Sequence, residues 1–318
     1  MKQFHGIYAD LIGQYIAFKR SLGYAFKVEY AFSDFDCFTL EHNVTTIGLT
    51  KELTDKWAEK RPNEADVNRY ERVNKIANFS KFLNNIGYQS YIPRQIRSYH
   101  STFIPYIFSQ KEISAFFQAC DSLEISKFSN VAQTLPTVFR LIYGCGLRAN
   151  ESLSLKCKDV NLEENYIVIR NPKNGIDRKL PFSDSLAKVC VQYRNCYLTS
   201  HGPDDYFFTK KDMNRYTIDS LYEWFRKILW KAGIPHGGRG IGPRVHSFRH
   251  SFSIHALVAM SKAGLDLYYS LPLLSKYLGH QSIEATDKYV KLTSEMYPEL
   301  IRDVNNICAY VFPEVKLP

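Results

Sequence analysis

None of the seven cysteines forms a C-x-x-C pair, so the chain has neither the ligand spacing of a structural zinc site nor a disulfide framework. Cys37, Cys120, Cys145, Cys157, Cys190, Cys196 and Cys308 are expected to serve as small buried apolar residues. No apolar run reaches the roughly 18 residues that a membrane-crossing helix needs. The opening stretch MKQFHGIYADLIGQYIAF also lacks the small-residue cleavage site of a signal peptide, so a soluble intracellular protein without membrane partners is expected. The glycine-rich stretch 233–244 lacks the Gly-Lys-Ser/Thr ending of a nucleotide P-loop, and the chain shows no internal repeat or low-complexity tract.

With 318 residues and 45% hydrophobic content the chain can bury a core, and its length suggests about two domains. Lys plus Arg outnumber Asp plus Glu by 41 to 32, which leaves a net charge of +9. That surplus points to a polyanionic partner, nucleic acid first. The 22 Tyr and 21 Phe are read mainly as packing, with base stacking a lesser use.

Helical spacing of apolar residues predicts a first helix over 4–22, a second around Tyr30, Phe32, Phe35 and Phe38, a third capped by Thr50, and a fourth closing at Gly87. These form a helical unit over 1–95 whose lysines and arginines could contact phosphates. Two prolines break the period next, and 96–107 is read as a linker, with Arg94 and Arg97 as candidate DNA-binding residues. A capping box at Ser109 and Glu112 opens the second domain, 108–318. Glycines around 144–146 predict a turn with Arg148 starting the next helix and Glu151 on its face. Residues 166–170 and 178–182 read as two strands of a hairpin with Lys173 at its tip. Helices follow near 184–199 and 217–232, with a short extended segment near 204–209 between them. The basic loop 233–244 carries two more candidate DNA contacts, Arg239 and Arg244. The fold class expected is mainly α with a small antiparallel β-sheet.

The last quarter brings His246, Arg249, His280 and Tyr289 into one short span. A phosphodiester under attack gathers charge on its non-bridging oxygens, which arginine forks and histidine donors stabilise without a metal, while a phenol can act as nucleophile. His250, one residue past Arg249, is read as structural.

In these motifs the sequence resembles the tyrosine recombinase family, also called phage integrases, in a compact, Xer-like architecture. Its first arginine box resembles Gly146-Leu147-Arg148-Ala149-Asn150-Glu151, its hairpin lysine falls on Lys173, its His-x-x-Arg box on His246 and Arg249, its Leu-Gly-His box on Leu278-Gly279-His280, and its nucleophile on Tyr289. Two features depart from the pattern: the lysine box reads Pro-Lys-Asn, and the loop before His246 is long. The resemblance implies a helical DNA-binding (core-binding, SAM-like) domain followed by an α+β catalytic domain. A compact architecture without a further arm-binding domain at the amino terminus is expected.

The resemblance also implies a site-specific DNA recombinase that cuts and rejoins a duplex recombination site through a 3′-phosphotyrosine link, with no cofactor and no metal. Integration, excision, transposition of a mobile element and dimer resolution are the roles it covers. Arg148 and Arg249 would brace the phosphate, Glu151 would support them, and Lys173 would protonate the departing 5′-oxygen. His246 and His280 would hydrogen-bond the phosphate, and His246 would help take the tyrosine proton. An apolar stripe in the tail helix 294–318 would pack either on its own domain or, as the resemblance implies, on a neighbouring protomer in a tetramer on DNA. The location would be cytoplasmic, nucleoid-associated if bacterial. The alternatives are a type IB topoisomerase-like relaxing enzyme and a catalytically silent DNA-binding regulator.

Overall fold

The computed structural model describes residues 3–24, 26, 29–94, 96, 104–172, 175–238, 241–283, 286–287, 289–290, 292–293 and 297. The chain divides into two compact units, Met1–Phe103 and Ile104–Pro318. In the first, helices α1 (Ala9–Ser21), α2 (Glu29–Glu41), α3 (Lys51–Ala58) and α4 (Asp66–Asn85) enclose a core that includes Tyr8, Tyr15, Phe32, Phe35, Trp57 and Phe79. The Thr50 hydroxyl caps α3 by accepting from Leu53 N at 3.2 Å.

Two expectations are corrected in this unit and beyond it. The first helix begins at Ala9 rather than near residue 4: before it the chain turns, with Ala9 N donating to Gly6 O at 3.0 Å, and the buried Asp36 carboxylate accepts from His5 N at 2.7 Å and Gly6 N at 2.9 Å. Those amides tie the segment before α1 to a side chain of α2, while Phe4 and Ile7 still pack against the core. Of the cysteines, Cys120, Cys145 and Cys190 are buried, but Cys37 and Cys196 lie on the solvent sides of helices and Cys157 is half-buried. Cys308 lies outside the described residues.

The second unit contains α5 (Gln110–Asp121), α6 (Val131–Gly144), α7 (Ala149–Leu153), β1 (Val160–Asn161), β2 (Tyr166–Ile169), β3 (Arg178–Pro181), α8 (Asp184–Tyr197), α9 (Ile218–Lys231), α10 (Val245–Lys262) and α11 (Leu267–Leu278). The Ser109–Glu112 capping box is formed at the start of α5. Helices α5, α6, α9 and α10 meet around Phe116, Phe139, Phe225 and Phe248, with the Phe116 and Phe248 ring centroids 4.9 Å apart. Each such buried aromatic contributes roughly 1.5–3 kcal/mol. The antiparallel sheet has the order β1-β2-β3, with Ile169 opposite Arg178 and Ile167 opposite Leu180. Strand β1 is only two residues long, too short for an alternating pattern to mark it.

Two helix ends shape the site, and both close the same way. After α6, Leu147 N donates to Ile142 O and Gly146 N to Tyr143 O; after α11, His280 N donates to Ser275 O and Gly279 N to Lys276 O. Each is a Schellman turn whose left-handed position is a glycine, at φ +58° for Gly146 and +67° for Gly279. A Cβ on Gly146 would stand 2.5 Å from Phe252 and 2.9 Å from Leu278. Gly146→Ala is therefore expected to cost about 2–4 kcal/mol, from left-handed strain plus overpacking, and to lower the melting temperature by roughly 10 °C. A thermal melt that matched the parent would show that Phe252 and Leu278 yield without cost.

Candidate active site

Arg249, on α10, is 1% exposed, and two of its five guanidinium N–H donors anchor it. One terminal nitrogen donates to Gly146 O at 2.8 Å and the other to Leu278 O at 2.7 Å. Those oxygens belong to the two Schellman ends, where helix carbonyls are left without intrahelical partners and carry the negative end of the helix dipole. A buried cation thus ties the ends of α6 and α11 to the N-terminal part of α10. Burial, with Arg148 nearby, pushes the Arg249 guanidinium down to about 10, so it stays charged at neutral pH.

Arg148 is the N-cap of α7 and is half-buried. Its guanidinium donates to Glu151 Oε1 at 2.7 Å and its backbone N–H to Oε2 at 3.0 Å. Arg178 of β3 donates to the same carboxylate at 3.2 and 2.8 Å, and to Tyr277 O at 3.2 Å. Burial pushes the Glu151 carboxyl up, but Arg178 and Arg148 outweigh it and hold the group below the ordinary carboxylate range. Arg178 was not among the residues singled out from sequence. Its signal was available in the strand alternation, which puts it on the same face as the buried Leu180 and opposite the exposed Lys179.

Tyr289 is 1% exposed and packs among Ile254, Leu257, Val258, Leu274 and Leu278. Its hydroxyl lies 2.8 Å from Nδ1 of His250. Burial raises the phenol above its ordinary range, against the pull of Arg249, the Ser253 hydroxyl and Arg148. The His280 ring lies nearly parallel to the tyrosine at 6.4 Å, and its Nδ1 is 2.7 Å from the Thr286 hydroxyl. His246 is exposed, one helical turn before His250, and the two rings meet edge to face at 4.7 Å.

The structure thus brings Arg148, Glu151, Arg249, His280 and Tyr289 together, with His246 at the margin beside His250. His250 touches the tyrosine hydroxyl as well as packing in the core. The i, i+4 spacing of the two histidines placed both on one helical face and was the signal for it. Arg94 is exposed in the first unit. Arg244 is the exposed N-cap of α10, where its N–H donates to the Ser247 hydroxyl at 3.0 Å. Lys173, Arg97, Arg239 and nearly all of 294–318 lie outside the described residues. Among the described residues no three His, Cys, Asp or Glu side chains cluster as metal ligands. Nor is any described helix long and apolar enough to cross a membrane.

The sequence matches the phage integrase family over residues 107–296. A Sinorhizobium fredii protein named Putative integrase/recombinase y4rB is 27% identical over 93% of this chain and 96% of its own length. The tyrosine recombinase XerA of Pyrococcus horikoshii is 32% identical over 56% of this chain and 58% of its own. In structure the chain is similar to the XerH site-specific recombinase bound to a palindromic difH substrate, with a TM-score of 0.60 at 21% identity, covering 85% of this chain and 75% of that one. The chain belongs to the phage integrase family and is a site-specific DNA recombinase of the tyrosine class.

Proposed function

We propose that Tyr289 is the nucleophile that cuts and rejoins the target duplex. The observation that carries this reading is the placement of its hydroxyl against His250 Nδ1, in the field of Arg249 and Arg148. The phenol oxygen bonds to the scissile phosphorus while the bond to the 5′-oxygen breaks, leaving a 3′-phosphotyrosyl link and a 5′-hydroxyl. Because the ester conserves the energy of the broken bond, the 5′-hydroxyl of another strand can reverse the step without ATP. Arg249 and Arg148 brace the non-bridging oxygens, where losing one donor costs on the order of 3 kcal/mol. Glu151 holds Arg148 in place, and His246 and His280 hydrogen-bond the phosphate. Lys173 keeps its sequence-based role as the acid that protonates the 5′-oxygen.

Duplex DNA carrying a recombination site is the partner, supported by family membership, the net charge of +9 and the DNA-bound relative XerH. Arg94, Arg97, Arg239 and Arg244 are the proposed backbone contacts. Four copies on two duplexes, joined through the tail 294–318, form the proposed assembly, and transposition of a mobile element is among the roles this serves.

The test uses nicked duplexes taken from the DNA flanking its gene, with EDTA present. A covalent protein–DNA adduct is expected, digestion should place the linked nucleotide on Tyr289, and native gels of the uncleaved complexes should show a four-copy species. An adduct on another residue would overturn the assignment of the nucleophile. A cleavage step that EDTA abolishes would overturn the metal-free scheme.

A further inference from the structure

We propose that His250 is the base that receives the Tyr289 proton during strand cleavage, an assignment that rests on Tyr289 being the nucleophile. A general base must lie within about 2.6–3.2 Å of the atom that loses its proton, and His250 Nδ1 stands 2.8 Å from the phenol oxygen. The phenol is 1% exposed and the imidazole 7%, so the proton leaves to a protein group rather than to bulk water. Imidazole suits the task because its basicity falls near neutral pH.

The geometry also explains why the base follows Arg249 in sequence. Arg249 is clamped to the ends of two helices by Gly146 O and Leu278 O, and it precedes His250 in the second turn of α10. The group that braces the phosphate and the group that activates the nucleophile are therefore held one peptide apart, without a loop between them. His246, the residue expected from sequence to help with this proton, is exposed and meets the His250 ring edge to face. That position suits a phosphate donor.

In the proposed step the neutral His250 carries its proton on Nε2 and accepts the tyrosine hydroxyl hydrogen bond at Nδ1. As the new oxygen–phosphorus bond forms, the O–H bond breaks and its proton passes to Nδ1, giving an imidazolium. The departing 5′-oxygen takes a different proton, from the acid on the far side of the phosphorus. On rejoining, the imidazolium returns its proton to the phenol oxygen as that oxygen leaves.

The test measures the rate of covalent adduct formation on a nicked duplex. His250→Asn retains an acceptor at the Nδ1 position but has no basicity, and it is expected to slow cleavage about 100-fold with duplex affinity unchanged. Two readouts separate proton transfer from mere support. Added imidazole should restore part of the rate of His250→Gly. Placing 3,5-difluorotyrosine at position 289 should shrink the gap between parent and His250→Asn to below about tenfold, because a more acidic phenol needs less help.

An Asn variant that cleaves within about threefold of the parent would overturn the proposal. So would a gap that fluorination leaves unchanged, or no imidazole response in a folded His250→Gly. Tyr289→Phe is the control: an adduct surviving in that variant would displace Tyr289 as nucleophile, a separate failure from that of His250.

Discussion

Tyr289→Phe loses covalent capture of a nicked duplex by on the order of 10⁴-fold or more, down to the detection limit, while duplex affinity stays within about twofold. The asymmetry follows from what the substitution removes. The phenylalanine ring keeps the packing of Tyr289 against Ile254, Leu257, Leu274 and Leu278, so the surface presented to DNA is retained. Only the oxygen that would bond to phosphorus is lost. Its removal also takes a hydrogen-bond partner from the buried His250 Nδ1, which costs about 1–3 kcal/mol and should lower the melting temperature by several degrees. Denaturing gels for the adduct, filter binding for affinity and thermal melts check the three parts separately. An adduct on the Phe variant, or a duplex affinity that falls with the adduct, would contradict this account of the site.

Glu151→Ala is expected to destabilise the catalytic unit strongly. The Glu151 and Arg178 side chains are 6% and 8% exposed, and the carboxylate also accepts from Arg148, so removing it strands one buried guanidinium and frees a second. Breaking one partner of a buried pair costs about 3–5 kcal/mol, a fall in melting temperature of roughly 10 °C for a unit of this size. Cleavage should fall with it, because Arg148 loses the anchor that aims it.

The pH dependence has a definite sign. Arg178 and Arg148 hold the Glu151 carboxyl below its ordinary value of 4.5 in the folded protein. Its contribution is therefore fully present above 4.5 and is lost as pH falls through the lower, folded value. The parent should lose stability in that acid window, and Glu151→Gln should lose less there. Melts of both proteins from pH 7 to pH 3 check this, and parallel curves would remove Glu151 as the cause.

The sequence by itself determined the local parts of this protein. Thr50 and Ser109 marked helix starts, since a cap depends on residues within one turn of the helix. Strands 166–169 and 178–181 showed in their β-branched and alternating residues, and the six family positions stood in order along the chain. Family membership was legible for the same reason, because it rests on short motifs.

Contacts between distant segments were decided only by the tertiary structure. The segment before α1, expected to be helical, is instead a turn whose amides donate to Asp36, some 30 residues away. Arg178 joined Glu151 because pairing of β2 with β3 aims it at α7. Gly146 and Gly279 looked like ordinary turn residues until their helix ends were seen closing on one buried guanidinium. His250 changed most: its role depends on the hydroxyl of a residue 39 positions later, and no local pattern encodes a contact that exists only once α10, α11 and the segment carrying Tyr289 have packed.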